Sequence, residues 1–280
     1  MPEFAQWLDQ WVAQGGHATM DFMARYRDIR CNPDLLSPNA KSIICVALGY
    51  KPSKTMTGNA KIAQYAYGDD YHETLRRMLF QMKALIADRY PDFDARVCVD
   101  SAPIAEKVWA AQAGLGWIGK NTLLVNPRLG SLLCLGELVT SSEADVYDTP
   151  MADGCGSCQQ CLQSCPNRAL SMTEWGETSR PMLDSTRCTS YNTIENRAEQ
   201  FDDHQHWSPN GYAFGCDCCQ MACPYNSLAP VKFEMSDARL AELQSLSRAD
   251  EHQFRRFSKH SPLSRIKYVQ WLRNLKMIEN

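Results

Sequence analysis

The sequence lacks the features of membrane, exported and broadly nucleic-acid-coating proteins. Its longest apolar run, over positions 43–48, is far shorter than the roughly 20 residues that a bilayer-spanning helix needs. The amino terminus has no basic segment, no apolar segment and no twin-arginine pair, so we expect no export signal and a cytoplasmic location. The 29 Lys+Arg against 32 Asp+Glu give a net charge of −3, which provides no overall basic footprint for nucleic acid.

Cysteine, by contrast, is abundant. The 280 residues include 13 Cys, and in a reducing compartment a disulfide framework is not expected. Cys45, Cys98 and Cys134 lie in apolar stretches and are predicted to be small buried packing residues. Nine of the 13 fall between positions 155 and 223. This dense group predicts metal ligands.

The first cysteine run has the spacing C-x2-C-x2-C-x3-C-P. It consists of Cys155, Cys158, Cys161 and Cys165, followed by Pro166. This is the ligand run of bacterial two-cluster ferredoxins, in which the fourth Cys binds the other cluster. A zinc knuckle explains it poorly, because zinc sites pair two C-x2-C units without the Cys-Pro. The run therefore predicts 4Fe–4S clusters.

The second run ends at Cys223 and lacks one ligand. Cys219 and Cys216 have the expected spacing, but Ala213 occupies the position of the remaining Cys. The eighth thiolate must come from Cys188 or Cys218. Cys218 lies between two ligands and would have to turn away from both, so Cys188 is favoured and Cys218 is left over. We assign cluster one to Cys155, Cys158, Cys161 and Cys223, and cluster two to Cys165, Cys188, Cys216 and Cys219.

The hydrophobic pattern predicts an α+β protein in three parts. These are an α/β domain over 1–148, a ferredoxin-like domain over 149–231 and a short helical segment over 232–280. Helices are predicted over 3–14 and 69–88, and strands over 42–49, 96–100 and 131–140. A further helix is predicted between Ser101 and about Gly114. Ser101 is the expected N-cap, and Pro103 lies in the first turn.

Two motifs resemble cofactor-binding signatures but fail on context. Positions 114–119 read G-x-G-x-x-G, yet a helix precedes them and an extended run follows, the reverse of a dinucleotide fingerprint. After Lys120, Asn121 stands where a P-loop needs Ser or Thr. Asp70 and His72 match the start of a motif that ligates cobalamin through His, but Leu75 stands where that motif has Gly. His72 is therefore interpreted as a residue of a first helical turn.

Six segments together resemble the epoxyqueuosine reductase family. They are 99–104, 113–121, 135–138, 187–195, 214–220 and 271–274, and the similarity extends from about position 17 over nearly the whole chain. The resemblance implies an oxidoreductase with a nitroreductase-like cobalamin-binding domain. Members reduce epoxyqueuosine to queuosine at the wobble position of tRNA anticodon loops. The implied electron path runs through two 4Fe–4S clusters to base-off cobalamin.

The resemblance also implies roles for individual residues. Asp100 is expected to protonate the leaving oxygen, and its position at the end of a strand before a helix suits a proton donor. Local hydrogen bonding at the helix start is the alternative role for Asp100. Corrin contacts are expected from Arg25, Tyr65, Tyr71, His72, Asn121, Val125, Ser190 and Asp217.

The expected partners are a tRNA anticodon loop carrying epoxyqueuosine and an external low-potential electron donor. The protein itself is expected to be a monomer. Compared with the family, the chain begins later and stops where longer members continue into helical repeats that help to hold tRNA. The stretch 255–276 is a candidate phosphate-binding patch with aromatic residues for an unstacked base, although it could equally be a solvated face. Its members are Arg255, Arg256, Lys259, Arg265, Lys267, Arg273 and Lys276, with Phe257, Tyr268 and Trp271.

Two other functions share parts of this pattern. A corrinoid reductive dehalogenase would use the same cofactors, but such enzymes are usually exported with a twin-arginine signal. A non-catalytic ferredoxin-type electron carrier would use the clusters alone. The identity of the electron donor does not follow from the sequence.

Overall fold

The computed structural model describes residues 2–201 and 207–279. The helices are α1 (Pro2–Ala13), α2 (Phe22–Arg25), α3 (Arg27–Cys31), α4 (Pro33–Leu36), α5 (Tyr71–Arg89), α6 (Glu106–Gln112), α7 (Gln160–Ser164), α8 (Thr189–Ile194), α9 (Cys218–Met221), α10 (Pro224–Leu228), α11 (Asp237–Ser245), α12 (Glu251–Ser258) and α13 (Tyr268–Glu279). The strands are β1 (Ser42–Gly49), β2 (Lys61–Ile62), β3 (Ala95–Cys98), β4 (Trp117–Ile118), β5 (Leu124–Val125), β6 (Leu133–Thr140), β7 (Leu170–Trp175), β8 (Thr178–Leu183) and β9 (Tyr212–Phe214). Short 3-10 turns occur at Gln64–Ala66, Ser185–Arg187, Leu246–Arg248 and Pro262–Arg265.

The main sheet is antiparallel and has the order β1-β6-β3. Successive side chains of a strand face opposite sides, so Cys134 and Leu138 of β6 pack with α5, whereas Leu135 and Val139 face the α6 side. Both faces are covered, which explains why β6 is buried along almost its whole length. The α+β class is confirmed, and β1 has the predicted bounds.

Helix α5 begins where the sequence favours it. The Asp70 side chain caps the helix by accepting a hydrogen bond from the backbone N–H of His72. Leu75 and Leu79 are buried against the sheet, as the apolar spacing predicts. Met78, which directly precedes Leu79, is 46% exposed.

The helix predicted from Ser101 begins only at Glu106. Asp100 has a φ of +50°, and the N–H of Ser101 bonds back to the carbonyl of Val99, so the chain turns sharply instead of entering a helix. Ala105 occupies the cap position. Since β3 also ends at Cys98, Asp100 lies on a loop between β3 and α6, not at the end of a strand.

The glycine motif serves the packing of a hairpin. Helix α6 precedes it, and β4 and β5 pair directly after its second glycine. A Cβ atom on Gly116 would lie 2.1 Å from the carbonyl oxygen of Val125, which explains the absence of a side chain there. The strand–helix order of a nucleotide fingerprint is not present.

The largest apolar core joins all three predicted parts of the chain. It contains Ile62 and Tyr67 from the first part, Phe214 from the cysteine-rich part, and Phe254 and Trp271 from the last. The helix α1 likewise packs on the β7–β8 hairpin. The part over 232–280 is thus an integral side of the fold. Among the described residues, no helix combines the length and apolarity that a membrane crossing requires.

We expect Trp271→Ala to destabilise the protein strongly. The indole is fully buried and donates a hydrogen bond to the carbonyl of Leu246. Loss of this packing should lower the free energy of unfolding by about 3–5 kcal/mol. Urea denaturation measures the change. The control is Leu272→Ala, because Leu272 is 45% exposed and should cost under about 1 kcal/mol. Equal losses in the two variants would contradict the core assignment.

Candidate active site

The predicted ligands of cluster one lie together in the structure. Cys155 and Cys158 flank a turn before α7, Cys161 lies on α7, and Cys223 immediately precedes α10. Burial raises the pKa of the Cys161 thiol, and the nearby thiols of Cys155, Cys223 and Cys158 raise it further. The four thiols are therefore near enough to affect one another's charge, although among the described residues no three such side chains are close enough together to hold a metal ion.

The second group of thiols adjoins the first. Burial raises the pKa of Cys219, with further contributions from Cys188, Cys165 and then Cys161. Cys188, which the ferredoxin spacing does not include, thus lies beside two predicted ligands. Contact with the Cys218 thiol, followed by burial, raises the pKa of Cys216, and the nearby Cys219 adds a smaller contribution.

Cys218 differs from the other thiols in its contacts. It lies at the start of α9 and accepts a hydrogen bond from Nδ2 of Asn210 at 3.1 Å. Interaction with the Cys216 thiol lowers the pKa of Cys218 to about 6. Its partners are Asn210 and Cys216, whereas Cys188 faces Cys165 and Cys219. The assignment of Cys218 as the surplus cysteine stays a prediction.

The β4–β5 hairpin contacts the first cysteine loop, a link that the sequence did not predict. Trp117 Nε1 donates to Sγ of Cys155 at 3.4 Å. Lys120 Nζ donates to the carbonyls of Gly156 at 2.6 Å and Cys158 at 2.9 Å. The hairpin thereby fixes the cysteine loop against the sheet domain. No spacing rule connects a tryptophan to a cysteine 38 residues later, so sequence reasoning could not find this pair.

Three predicted corrin contacts form an aromatic wall. The rings of Tyr65 and Tyr71 meet edge to face with centroids 6.0 Å apart, and His72 stacks on Tyr71 at 4.0 Å. Tyr65 also packs against Phe214, beside the cysteine-rich part. Burial raises the pKa of both tyrosines, and the nearby Asp100 carboxylate raises it further. The wall therefore adjoins the predicted proton donor.

Asp100 is held by a neighbouring histidine. Its Oδ2 lies 3.0 Å from Nε2 of His72, and Nδ1 of the same ring lies 2.6 Å from Oδ1 of Asp70. The Asp100 side chain is 59% exposed, so it remains accessible. The hydrogen bond from His72 lowers the pKa of Asp100 against the opposing effect of burial. Since both ring nitrogens of His72 are engaged, a corrin could contact this ring only through its carbon atoms.

Two buried carboxyl groups lie behind Asp100. Glu106 accepts a hydrogen bond from the backbone N–H of Asp100, and burial followed by the charge of Asp100 raises the pKa of Glu106 to about 7. Glu137 on β6 is fully buried, and neither carboxyl oxygen has a hydrogen-bond partner among the described residues. Burial raises the pKa of Glu137 to about 9. The raised pKa values favour the protonated, uncharged form of both carboxyl groups behind the Asp100 loop.

Two other predicted corrin contacts have unused polar atoms. Nδ2 of the buried Asn121 and Oδ1 of the buried Asp217 have no hydrogen-bond partner among the described residues. Asp217 Oδ2 accepts from the backbone N–H of Gln64, the residue before Tyr65. Burial raises the pKa of Asp217 to about 7. One free donor and one free acceptor suit a ligand rimmed with amide groups, as a corrin is.

The remaining predicted contacts are more scattered. Val125 is buried in the β4–β5 hairpin, and Ser190 is half-buried on α8, two residues after Cys188. Arg25 is exposed on α2, at a groove lined by Asp9, Val12 and other residues of α1 to α3. The structure thus groups Arg25 with α1, whereas Arg265 and Arg30 are the arginines whose charges act on Asp100.

The predicted tRNA patch over 255–276 is smaller than the sequence suggested. Arg273 is buried and donates to the carbonyls of Asn192, Asn196 and Ala198, so it supports the fold. Trp271 is in the core and cannot stack on a base.

Other members of the patch are engaged as well. Arg255 and Arg265 pair with Glu251 and Glu195. The ring of Phe257 is covered by Arg239 at 4.4 Å. The exposed cations of the segment that remain are Arg256, Lys259, Lys267 and Lys276.

Comparison with known proteins gives consistent results. A family model described as epoxyqueuosine reductase QueG, DUF1730, matches residues 30–101, and a model of a 4Fe-4S double cluster binding domain matches 154–226. The epoxyqueuosine reductase of Synechocystis sp. is 37% identical over 281 residues, covering 97% of this chain and 94% of its own.

Solved structures agree with the sequence relatives. The epoxyqueuosine reductase from Streptococcus thermophilus matches with a TM-score of 0.81 and 26% identity, covering 99% of this chain and 74% of its own. A crystal structure of epoxyqueuosine reductase with a tRNA-Tyr epoxyqueuosine-modified stem loop matches with a TM-score of 0.75 and 25% identity, covering 98% and 73%.

Proposed function

Because the chain belongs to the epoxyqueuosine reductase family, we propose that it reduces epoxyqueuosine to queuosine at the wobble position of a tRNA anticodon loop. The chain is an oxidoreductase. The observation that carries the proposal is the accessible Asp100, bonded to His72 beside an aromatic wall that adjoins the cysteine loops. A carboxyl group in this position can protonate an oxygen that leaves a carbon centre.

The cysteine loops are proposed to hold two 4Fe–4S clusters, which relay single electrons when bound. Cluster one would be bound by Cys155, Cys158, Cys161 and Cys223, and cluster two by Cys165, Cys188, Cys216 and Cys219. The mutual influence of the thiols on one another's pKa values supports this division. We propose the parts 1–148, 149–231 and 232–280 as functional segments that share one apolar core.

Trp117→Phe should alter the properties of cluster one without removing it. The indole N–H donates to Sγ of Cys155, and such donors stabilise the more negative, reduced cluster. We expect a lower reduction potential with unchanged iron content, measured by electron paramagnetic resonance during a redox titration. Lys120→Arg, which alters the contacts to the carbonyls of Gly156 and Cys158 but keeps the positive charge, is the comparison. An unchanged potential in Trp117→Phe would contradict this role.

Cobalamin is proposed as the second cofactor. The residues that would hold it are Tyr65, Tyr71, Asn121, Val125, Ser190 and Asp217. Arg25 belongs to the predicted set as well, but it lies at the groove lined by α1 to α3. The free donor of Asn121 and the free acceptor of Asp217 fit the amide-bearing rim of a corrin. When bound, cobalamin supplies a strongly reducing cobalt centre next to the substrate. The ring edge of His72 and the Asp100 carboxyl would face the same space.

The tRNA partner is proposed to contact the exposed cations Arg256, Lys259 and Lys267. Phosphate contacts of this kind position a nucleic acid without reading its sequence. The modified base must leave its stack to reach a side chain such as Asp100. Solvent exposure of the Asp100 carboxyl supports access by an extruded base.

The proposal is tested with the anaerobically purified chain, loaded with iron, sulfide and cobalamin. The protein is given a strong reductant and an anticodon stem loop that carries epoxyqueuosine, and in parallel an aryl halide. We expect queuosine to form and the halide to remain intact. Halide loss alone would favour a reductive dehalogenase. Electron transfer without either product would favour a ferredoxin-type carrier.

A further inference from the structure

The proposed reaction needs more protons than Asp100 can store. Removing the oxygen of an epoxide as water and leaving a carbon–carbon double bond breaks two C–O bonds and forms two O–H bonds. The balance requires two electrons, from the reductant of the proposed activity, and two protons. One carboxyl group carries at most one proton. Asp100 must therefore receive a further proton, from a neighbouring group or from solvent, during each turnover.

The geometry around His72 is that of an imidazolium. Nδ1 lies 2.6 Å from a carboxyl oxygen of Asp70, and Nε2 lies 3.0 Å from a carboxyl oxygen of Asp100. An ionised carboxylate can only accept hydrogen bonds, so each ring nitrogen must carry a hydrogen to complete both contacts. Stacking on Tyr71 at 4.0 Å fixes the plane of the ring.

We propose that His72 is the proton store of the reaction, passing protons from Nε2 to Asp100, and that Asp70 positions the ring. This inference rests on the proposed function and deepens it. The first proton moves from Nε2 to Oδ2 of Asp100 and then to the epoxide oxygen, as the first C–O bond breaks and the two electrons of the reductant enter at that carbon. The imidazole regains a proton from solvent and sends it along the same path. The second C–O bond then breaks, the electron pair on the first carbon forms the carbon–carbon double bond, and the oxygen leaves as water.

The charges around the pair favour this resting state. Burial opposes a charged ring, but the hydrogen bonds and charges of Asp100 and Asp70 raise the pKa of His72. The same contact lowers the pKa of Asp100, so a proton shared by the pair favours the ring over the carboxyl group. The His72 side chain is 27% exposed and that of Asp70 is 17% exposed, which gives solvent a way to reload the ring.

Other charged groups face the pair from the surrounding elements. On α5, Arg76 reaches the Ser101 hydroxyl. Arg30 and Arg265 stabilise the Asp100 carboxylate, whereas Glu106 lies behind it. The neutral phenols of Tyr65 and Tyr71 complete the surroundings. The positive charges of the two arginines offset the effect of the Glu106 carboxyl on the pair. Asp100 and Asp70, which bond directly to the ring, therefore have the largest effect on the charge of His72.

A titration of the ring tests the proposal without any turnover. Proton NMR of the intact chain should give His72 a pKa above the ordinary value of about 6.5, assigned by the signal that shifts in Asp70→Asn. In that variant the pKa should fall. A His72 pKa at or below the ordinary value in the unaltered protein would overturn the proposal, whatever the activity of the enzyme.

The second test uses the loaded enzyme. His72→Gln keeps a hydrogen-bonding side chain but cannot store a proton, so kcat should fall about 100-fold with KM nearly unchanged. The unaltered enzyme should lose rate as the pH rises through the His72 pKa, and the variant should lack this decline. His252→Gln, at an exposed position on α12, is the control.

The outcomes separate this proposal from the proposed function. An unaltered enzyme that forms no queuosine defeats the function itself. An active unaltered enzyme whose His72→Gln variant keeps the same kcat and pH profile defeats only the role of His72. If His72→Gln fails to retain its cofactors, the Asp70→Asn variant is used instead. Its decline in rate with rising pH should occur at a lower pH than in the unaltered enzyme. A decline at the same pH overturns the proposal.

Discussion

Asp100→Asn is expected to reduce turnover about 10²- to 10⁴-fold while the absorption of the corrin and of the clusters stays unchanged. The amide keeps the size of the side chain and can still bond to His72, but it cannot pass a proton to an oxygen. Asp100 lies outside both cysteine groups, and its side chain is 59% exposed. Single-turnover assays with the loaded protein measure the effect.

The matched control for this variant is Asp69→Asn. Asp69 is an exposed carboxylate just before α5, and its replacement makes the same change of charge close to the site. We expect it to leave the rate within about twofold, because Asp69 is exposed and, among the described residues, takes no part in the hydrogen bonds of His72 and Asp100. Loss of corrin binding in Asp100→Asn would instead indicate that the residue shapes the cofactor site. Full activity would exclude it as the proton donor.

Cys188→Ala is expected to remove about half of the iron, because each of two 4Fe–4S clusters depends on four thiolates. Cys188 lies outside both ferredoxin-spaced runs, yet it influences the pKa of Cys219 together with Cys165. Cluster two should therefore be lost while cluster one remains. Iron and sulfide analysis, together with electron paramagnetic resonance of the reduced protein, measures the change.

Cys218→Ala is the matched control for Cys188→Ala. Cys218 lies among the ligands in sequence but bonds to Asn210 in the structure, so its loss should leave about eight iron atoms per chain. The reverse result, with iron lost in Cys218→Ala and kept in Cys188→Ala, would contradict the assignment of cluster two. Loss in both variants would indicate that Cys218 stabilises the loop that contains Cys216 and Cys219.

The regular elements and the cysteine groups could be predicted because they depend on local patterns. β1 has the predicted bounds, and α5 begins within two residues of its predicted start because Asp70 is a strong cap. The grouping of Cys188 with Cys165 could be anticipated from the count of thiolates that two cubanes need. Such inferences require only spacing and stoichiometry.

Features that depend on long-range contacts could not be predicted. The pairing of His72 with Asp100 joins the start of α5 to a loop 28 residues later, and the first turn of a helix gives no sign of it. The positive φ of Asp100 prevents a helix at Ser101, although Pro103 favours one locally. Arg273 resembles a surface cation in sequence, but it supports buried carbonyls.

The most direct measurement of the central claim is nucleoside analysis of an epoxyqueuosine-containing tRNA after incubation with the reduced chain. The account predicts a product lighter by one oxygen atom, formed only when the protein carries both its iron–sulfur clusters and cobalamin. Omission of either cofactor should leave the epoxide intact. A fully loaded, reduced protein that binds the tRNA but leaves the epoxide unchanged would contradict the account.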